Sequence, residues 1–119
     1  MRLSRKSAWL LLAVLLVLLL FGTQMPGAWR DEAFRGSHLP WQMTKVAHFV
    51  IFASMACLAR LPPLLMSVWR IALAALVLAL VTEALQRFVP GRDSSWLDVA
   101  IDMAGAALGV LIGILLGRR

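Results

Sequence analysis

The feature that most constrains this chain is a long run of residues without charge near its N-terminus. Residues 8–21 are all apolar, and no charged side chain occurs between Ser7 and Trp29. A helix needs ~20 such residues to cross the hydrocarbon core of a bilayer. We therefore predict a membrane-spanning helix at about residues 7–25. A cleaved signal peptide is the alternative, because basic residues precede the run, but the segment after Phe21 has no cleavage-site pattern of small residues.

Three further apolar segments follow, each bounded by residues that end helices. Proline and glycine residues interrupt residues 23–44, and a Pro-Pro pair at 62–63 and a Pro-Gly pair at 90–91 separate the later segments. We expect helices at about residues 45–60, 67–88 and 96–117. The second of the four helices has an uncharged core of only 14 residues, so both a span and a shorter re-entrant segment are compatible with its length.

The composition favours a lipid environment over water. Hydrophobic residues make up 61% of the chain and charged residues 15%, whereas soluble domains have about 25% charged residues. A net charge of +6 would suggest nucleic acid as the partner of a soluble domain. Here the basic residues lie at the ends of apolar runs, where they meet lipid headgroups. We predict an all-α integral membrane bundle of four transmembrane helices, a single domain over residues 1–119, with membrane lipids and no nucleic acid as partners.

The basic residues also set the expected orientation. With four spans, seven basic residues fall on the side of the two termini and five on the other side. The positive-inside rule then places both termini in the cytoplasm, for a multi-pass protein of the inner (cytoplasmic) membrane. The six acidic residues all fall on the outer side or at the outer ends of helices. Any polar chemistry is therefore expected to face outward.

Polar residues on three of the predicted helices fall at a similar depth. A helix rises about 1.5 Å per residue, which puts His48, Glu83 and Asp102 about 18, 20 and 24 Å from the basic residues at the cytoplasmic ends of their helices. Ionisable groups at such depth usually face the interior of a bundle and pair with one another. We expect an outward-facing polar pocket formed by these residues and their neighbours on the same helix faces: Lys45, His48, Glu83, Gln86, Arg92, Asp98 and Asp102.

Most of these residues also have a simpler interpretation. His48 could hydrogen-bond across helices, Glu83 could extend to the membrane interface, Asp98 could cap a helix and Arg92 could contact a headgroup. Asp102 fits such an explanation least well, because it lies a turn inside the fourth helix and its side chain is too short to reach far.

Four glycines form a second pattern on the fourth helix. Gly105, Gly109, Gly113 and Gly117 are four residues apart and therefore lie on one stripe. Small residues on such a stripe allow another backbone to approach closely, as is typical of helix packing in membranes. This stripe is the predicted helix-packing surface. It could serve the bundle itself, a homo-oligomer or another membrane protein.

The sequence contains no motif for a metal, a cofactor or a known reaction. Cys57 is the only cysteine, and no paired-histidine spacing supports a metal site. Phosphate-binding loops and hydrolase motifs are absent from the sequence as well. We predict no cofactor and assign no catalytic residue. An intramembrane enzyme that uses His48 with Glu83 or Asp102 as acid and base stays open.

The residues at 44–52 and 83–109 resemble the VanZ-like membrane proteins. In that family a D-K-x-x-H-F segment precedes E-x-x-Q, an aromatic-x-P-G-R turn, S-x-x-D and N-x-x-G. Two positions depart from the pattern: Thr44 stands where the family usually has Asp, and Asp102 where it usually has Asn. The matching positions are Lys45, His48, Phe49, Glu83, Gln86, Phe88, Pro90, Gly91, Arg92, Ser95, Asp98 and Gly105.

The resemblance implies a small polytopic membrane protein of the cell envelope, and the founding member of the family is linked to low-level resistance to the glycopeptide antibiotic teicoplanin. We therefore expect a protein that modulates the envelope or its antibiotic sensitivity. In this hypothesis the polar pocket binds an anionic lipid or a cell-wall precursor headgroup. The alternatives are the intramembrane enzyme and a structural subunit that packs against a partner through the stripe Gly105–Gly117.

Overall fold

The computed structural model describes residues 3–24, 43–88 and 96–117. These parts of the chain form four helices: α1 (Arg5–Gln24), α2 (Met43–Arg60), α3 (Val68–Gln86) and α4 (Trp96–Gly117). The all-α prediction is confirmed, and each helix end lies within two residues of its expected position. Residues 25–42 of the loop predicted at 23–44, the turn at 89–95 and Arg92 within that turn lie outside the described residues.

Three of the four helices have the length and hydropathy of a membrane span. They are α1 over Arg5–Gly22, α3 over Val68–Gln86 and α4 over Trp96–Gly117. Large apolar side chains cover their outer surfaces, and a water-soluble monomer rarely exposes apolar surface so extensively. α2 is not one of the three, so a fourth span and the positions of the termini stay predictions.

The middle of α3 buries small side chains and exposes large ones. On α3, Ala75 and Ala79 are buried, whereas Leu76, Val77 and Leu80 are exposed. A soluble core would show the reverse arrangement, with large apolar residues inside. Small residues at helix contacts let the backbones approach closely, and this is the packing of helices in lipid.

α2 and α4 lie side by side and run in the same direction. Gly105 of α4 packs against the backbone of Phe49, and four residues further along Gly109 packs against the backbone of Ala53. Because both numbers increase together, the two helices are parallel. Their contact is the most extensive between any two of the described helices.

A turn at residues 61–67 reverses the chain between α2 and α3. The pair Pro62 and Pro63, joined by a cis peptide bond, follows α2 after Leu61 and cannot continue the helix. The turn is closed by two hydrogen bonds, since the Met66 amide donates to the carbonyl oxygen of Ala59 (2.9 Å) and Arg60 Nη1 donates to the carbonyl oxygen of Met66 (3.1 Å). α3 therefore returns antiparallel to α2, and its C-terminal end lies at the same end of the bundle as the N-terminal ends of α2 and α4.

Candidate functional site

Two pairs of oppositely charged or hydrogen-bonding side chains join α2 to α4 at the end of the bundle where both helices begin. His48 Nδ1 lies 3.3 Å from Asp102 Oδ1. Lys45 Nζ lies 3.8 Å from Asp98 Oδ1. Since residues three or four apart share a helix face, the two pairs are stacked one turn apart. We call these four residues the paired cluster.

The His48–Asp102 pair is the deeper of the two. Asp102 is only 2% exposed, and a carboxylate accepts hydrogen bonds but has no proton to donate when ionised. With Asp102 ionised, His48 therefore carries a proton on Nδ1 and donates it to Oδ1. This contact fixes the orientation of the imidazole ring and leaves Nε2 as the ring nitrogen outside the pair.

The Lys45–Asp98 pair lies nearer the surface. The Lys45 side chain is 29% exposed and that of Asp98 17%, so water or a headgroup can reach both. At 3.8 Å the ion pair is loose, and pairs of this exposure contribute little to stability. Their chemistry is better suited to attracting and orienting a charged or polar ligand than to holding the fold together.

α3 adds three buried polar residues at the same end of the bundle. Glu83 is 5% exposed, Gln86 3% and Thr82 2%. They continue the buried stripe of α3 that includes Ala75 and Ala79, so these side chains point towards the other helices. Thr82 Oγ1 donates to the carbonyl oxygen of Ala79 (3.0 Å), which satisfies the hydroxyl within its own helix. Glu83 and Gln86 also take part in polar or electrostatic interactions.

Six of the seven residues predicted for the pocket thus lie at one end of the bundle, and the seventh, Arg92, is outside the described residues. Four of the six make the two measured pairs between α2 and α4, and the other two are buried on α3. Thr82 is a further buried polar residue at this end, and it was not among the residues predicted for the pocket. Its proximity to Glu83 in the sequence was the only signal for it.

The glycine stripe of α4 is occupied by α2 over most of its length. A Cβ atom at Gly105 or Gly109 would overlap the carbonyl oxygen of Phe49 or Ala53, respectively. At Gly113 it would lie 2.8 Å from Arg60 Cβ. Gly117 has no atom within 4 Å of that position. Three of the four glycines therefore pack inside the chain.

A metal ion has no evident binding site in the described part of the chain, where no group of three or more His, Cys, Asp and Glu side chains could hold one. Two acid–base pairs without a metal can bind a polar group, relay a proton or fix two helices. The geometry alone therefore defines a polar site that joins three helices and does not define a reaction.

Comparison with known proteins supplies the family. A search of curated proteins and a search of solved structures each give no match. The family model described as VanZ/LLP1 matches residues 5–117, which include all four helices and the paired cluster. This match confirms the resemblance carried by the K-x-x-H-F, E-x-x-Q and S-x-x-D segments. The chain is a membrane protein that belongs to the VanZ/LLP1 family.

Proposed function

We propose that this protein crosses the cytoplasmic membrane four times and binds the headgroup of an anionic lipid or a cell-wall precursor in a polar pocket near the outer face. Through that binding it modulates the cell envelope and its sensitivity to teicoplanin. The observation that carries the proposal is the paired cluster: two ionisable pairs between parallel helices, one buried and one accessible, with Glu83 and Gln86 buried on the adjacent helix.

The parallel packing of α2 and α4 supports the fourth span. α4 is long and apolar enough to cross a membrane, and α2 runs beside it from the pair at Lys45 to the contact between Arg60 and Gly113. The 15 residue steps from Lys45 to Arg60 extend over roughly 22 Å of helix. Lys45 and Arg60 can extend towards the two interfaces. A helix that accompanies α4 over this distance shares its membrane depth.

The charge distribution supports the orientation. Ser4 and the 61–67 turn lie at one end of the bundle, together with the exposed Arg5 and Arg70. The described acids Glu83, Asp98 and Asp102 all lie at the opposite end. Basic residues favour the cytoplasmic side, so both termini are cytoplasmic and the paired cluster faces outward. Glycopeptides act on precursors outside the membrane, which is the side on which this pocket opens.

The topology is tested by cysteine labelling in intact cells after Cys57 is replaced by alanine. A membrane-impermeant maleimide should label cysteines introduced at Ser37 and Arg87, and should label those at Ser4 and Leu65 only after the cells are opened. Labelling of Ser37, Leu65 and Arg87 from the same side would show that α2 and α3 do not cross. Labelling of Ser4 and Leu65 alone from outside would show the inverted orientation.

An intramembrane enzyme is the second candidate, and the His48–Asp102 contact favours it. A carboxylate that holds Nδ1 leaves Nε2 of the imidazole to exchange a proton with a substrate, which is how a general base is commonly oriented. Enzyme and binding protein differ in the effect of single substitutions. Loss of His48 removes the proton-transfer group altogether, whereas loss of Lys45 weakens the attraction for an anion by degrees.

A structural subunit that uses the glycine stripe has less support. Gly105, Gly109 and Gly113 already contact α2 of the same chain. A partner helix could reach that surface only by displacing α2, and the two pairs between α2 and α4 would then separate.

Growth under teicoplanin tests the proposed function. A glycopeptide-sensitive strain that lacks the gene is complemented with the wild type, His48→Ala, Asp102→Ala or Lys45→Gln. The matched control is Arg87→Gln, because Arg87 is a charged and exposed residue at the same end of α3 and lies outside the cluster. Membrane levels of each variant are measured by immunoblotting.

We expect the three cluster variants to lose protection while Arg87→Gln retains it. Complete loss in His48→Ala with only partial loss in Lys45→Gln would favour the enzyme over the binding protein. Full complementation by all three cluster variants, at normal membrane levels, would exclude the pocket as the functional site.

A further inference from the structure

A second cleft lies at the end of the bundle opposite the paired cluster. It has a volume of about 540 Å³ and forms where the start of α1, the 61–67 turn and the start of α3 meet. Arg5 and Trp9 of α1 line one side, and Ser67, Trp69 and Arg70 line the other. No acidic side chain lines it within the described residues. We call it the basic cleft.

The groups in the basic cleft suit a phosphate. Two guanidinium groups from different helices provide charge and several donors, and arginine matches the geometry of phosphate oxygens. The hydroxyl oxygen of Ser67 is buried and has no hydrogen-bond partner among the described residues. Ser67 also immediately precedes α3 and makes no side-chain hydrogen bond to cap it, and the first amide groups of a helix favour an anion.

The two tryptophans place this cleft at the level of the headgroups. Trp9 and Trp69 are exposed, and tryptophan is enriched where the hydrocarbon core meets water. The Arg70 guanidinium lies 5.7 Å from the centroid of the Trp69 ring, so a cation–π contact keeps its charge at this level.

An apolar crevice lies next to the basic cleft. It has a volume of about 200 Å³ and lies between α1, α2 and α3, with Leu12, Phe52 and Ala75 in its walls. Trp9 and Met66 line both cavities. A cationic cleft beside an apolar crevice matches the two parts of a phospholipid, a charged headgroup and an acyl chain.

We infer that the basic cleft and the adjoining crevice bind one anionic phospholipid, with its phosphate between Arg5 and Arg70 and an acyl chain along Leu12 and Ala75. This site is separate from the paired cluster and does not depend on the function proposed for it. The basic cleft and the apolar crevice share two lining residues, so one molecule can occupy both. Such a molecule needs a phosphate and an apolar chain, which a lipid has and a soluble phosphate lacks. Basic pockets of this kind between membrane helices are known to bind lipid headgroups.

Tryptophan quenching in nanodiscs tests the inference. Two reporter proteins each retain one tryptophan, either Trp9 in the cleft or the exposed Trp96 at the opposite end, and phenylalanine replaces the other four. Nanodiscs of phosphatidylcholine contain increasing fractions of brominated phosphatidylglycerol or brominated phosphatidylcholine, and the bromines quench a tryptophan that they contact. Circular dichroism checks that each variant is folded.

We expect brominated phosphatidylglycerol to quench Trp9 at a much lower mole fraction than brominated phosphatidylcholine, with no such difference at Trp96. Replacing Arg5 or Arg70 by glutamine should raise the phosphatidylglycerol fraction for half-quenching about fivefold per arginine, the contribution of one basic residue near an anionic surface. Arg87→Gln, at the opposite end of α3, is the matched control and should leave the fraction unchanged. Ala74→Leu, which narrows the crevice at an exposed position, should weaken quenching of Trp9 with both arginines present.

Three results would overturn the inference. Equal quenching of Trp9 by the two lipids would show that the cleft does not select an anionic headgroup. Reversal of the quenching by excess inorganic phosphate would show a site for a free anion. Unchanged quenching in Ala74→Leu would show that no acyl chain enters the crevice.

Discussion

Gly109 of α4 is the position at which an added methyl group should most disturb the bundle. A Cβ atom there would lie 2.8 Å from the carbonyl carbon of Ala53 and 2.9 Å from its Cα, and closer still to its carbonyl oxygen. Carbon atoms pack at about 3.5–4.0 Å, so Gly109→Ala requires α2 and α4 to separate by roughly 1 Å. The obstructing atoms belong to the backbone of Ala53, and therefore no change of side-chain rotamer can relieve the overlap.

Gly22→Ala in α1 provides the matched control, because no atom lies within 4 Å of the Cβ position at Gly22. Both substitutions gain helix propensity, by up to ~1 kcal/mol. Only Gly109→Ala adds overpacking, which typically costs about 1–3 kcal/mol. We expect its free energy of unfolding to lie below that of Gly22→Ala by about that amount. Gly113→Ala should show a smaller loss, because the side chain of Arg60 is the nearest group there.

The measurement is unfolding in mixed micelles with increasing sodium dodecyl sulfate, followed by far-UV circular dichroism. Equal stability of Gly109→Ala and Gly22→Ala would refute the reasoning, because it would show that α2 and α4 separate without cost. A loss confined to Gly22→Ala would refute it as well.

The remaining predictions concern the two pairs of the paired cluster. A double-mutant cycle with His48→Leu and Asp102→Leu in the same unfolding assay should give a coupling energy of about 1 kcal/mol, as for polar pairs buried between membrane helices. Strictly additive effects of the two substitutions would show that the contact does not stabilise the fold. The corresponding cycle for Lys45→Met and Asp98→Leu should give about 0.5 kcal/mol or less, because that pair is accessible to solvent. A coupling larger than that of His48 and Asp102 would contradict the assigned depths.

The depth of the polar residues along the bundle could be predicted from the sequence, but the side chains that they contact could not. Helical rise is fixed, so counting from basic helix ends placed His48 and Asp102 at a similar depth. Which side chains meet depends on how each helix is rotated. α3 shows the difficulty, because residues 71–81 are all apolar and leave no polar face from which the rotation could be deduced. Between residues 72 and 81 of α3, the buried residues are Ala75 and Ala79.

The glycine period indicated close packing without identifying the neighbour. Four glycines at intervals of four residues define one stripe of α4, and that stripe could have faced another protein. Its occupation by α2 depends on the parallel arrangement of two helices that are not adjacent in the sequence. The basic cleft could not be predicted from the sequence for the same reason. Arg5 and Ser67 line one cleft only because α1 lies beside α3.

The glycine stripe and the paired cluster are two parts of one interface. Gly105 packs against Phe49, the residue next to His48, and Asp102 lies less than one turn before Gly105. The approach of the two backbones at Gly105 and Gly109 therefore sets the distance at which the His48 ring meets the Asp102 carboxylate. Asp102 is short and buried, so it cannot follow a helix that moves away, and a separation of α2 and α4 would break the inner pair first. Lys45 is long enough to retain its contact with Asp98 after such a movement. The inner pair is thus the part of the polar site that depends on close helix packing, while the outer pair can tolerate a change in the distance between the helices.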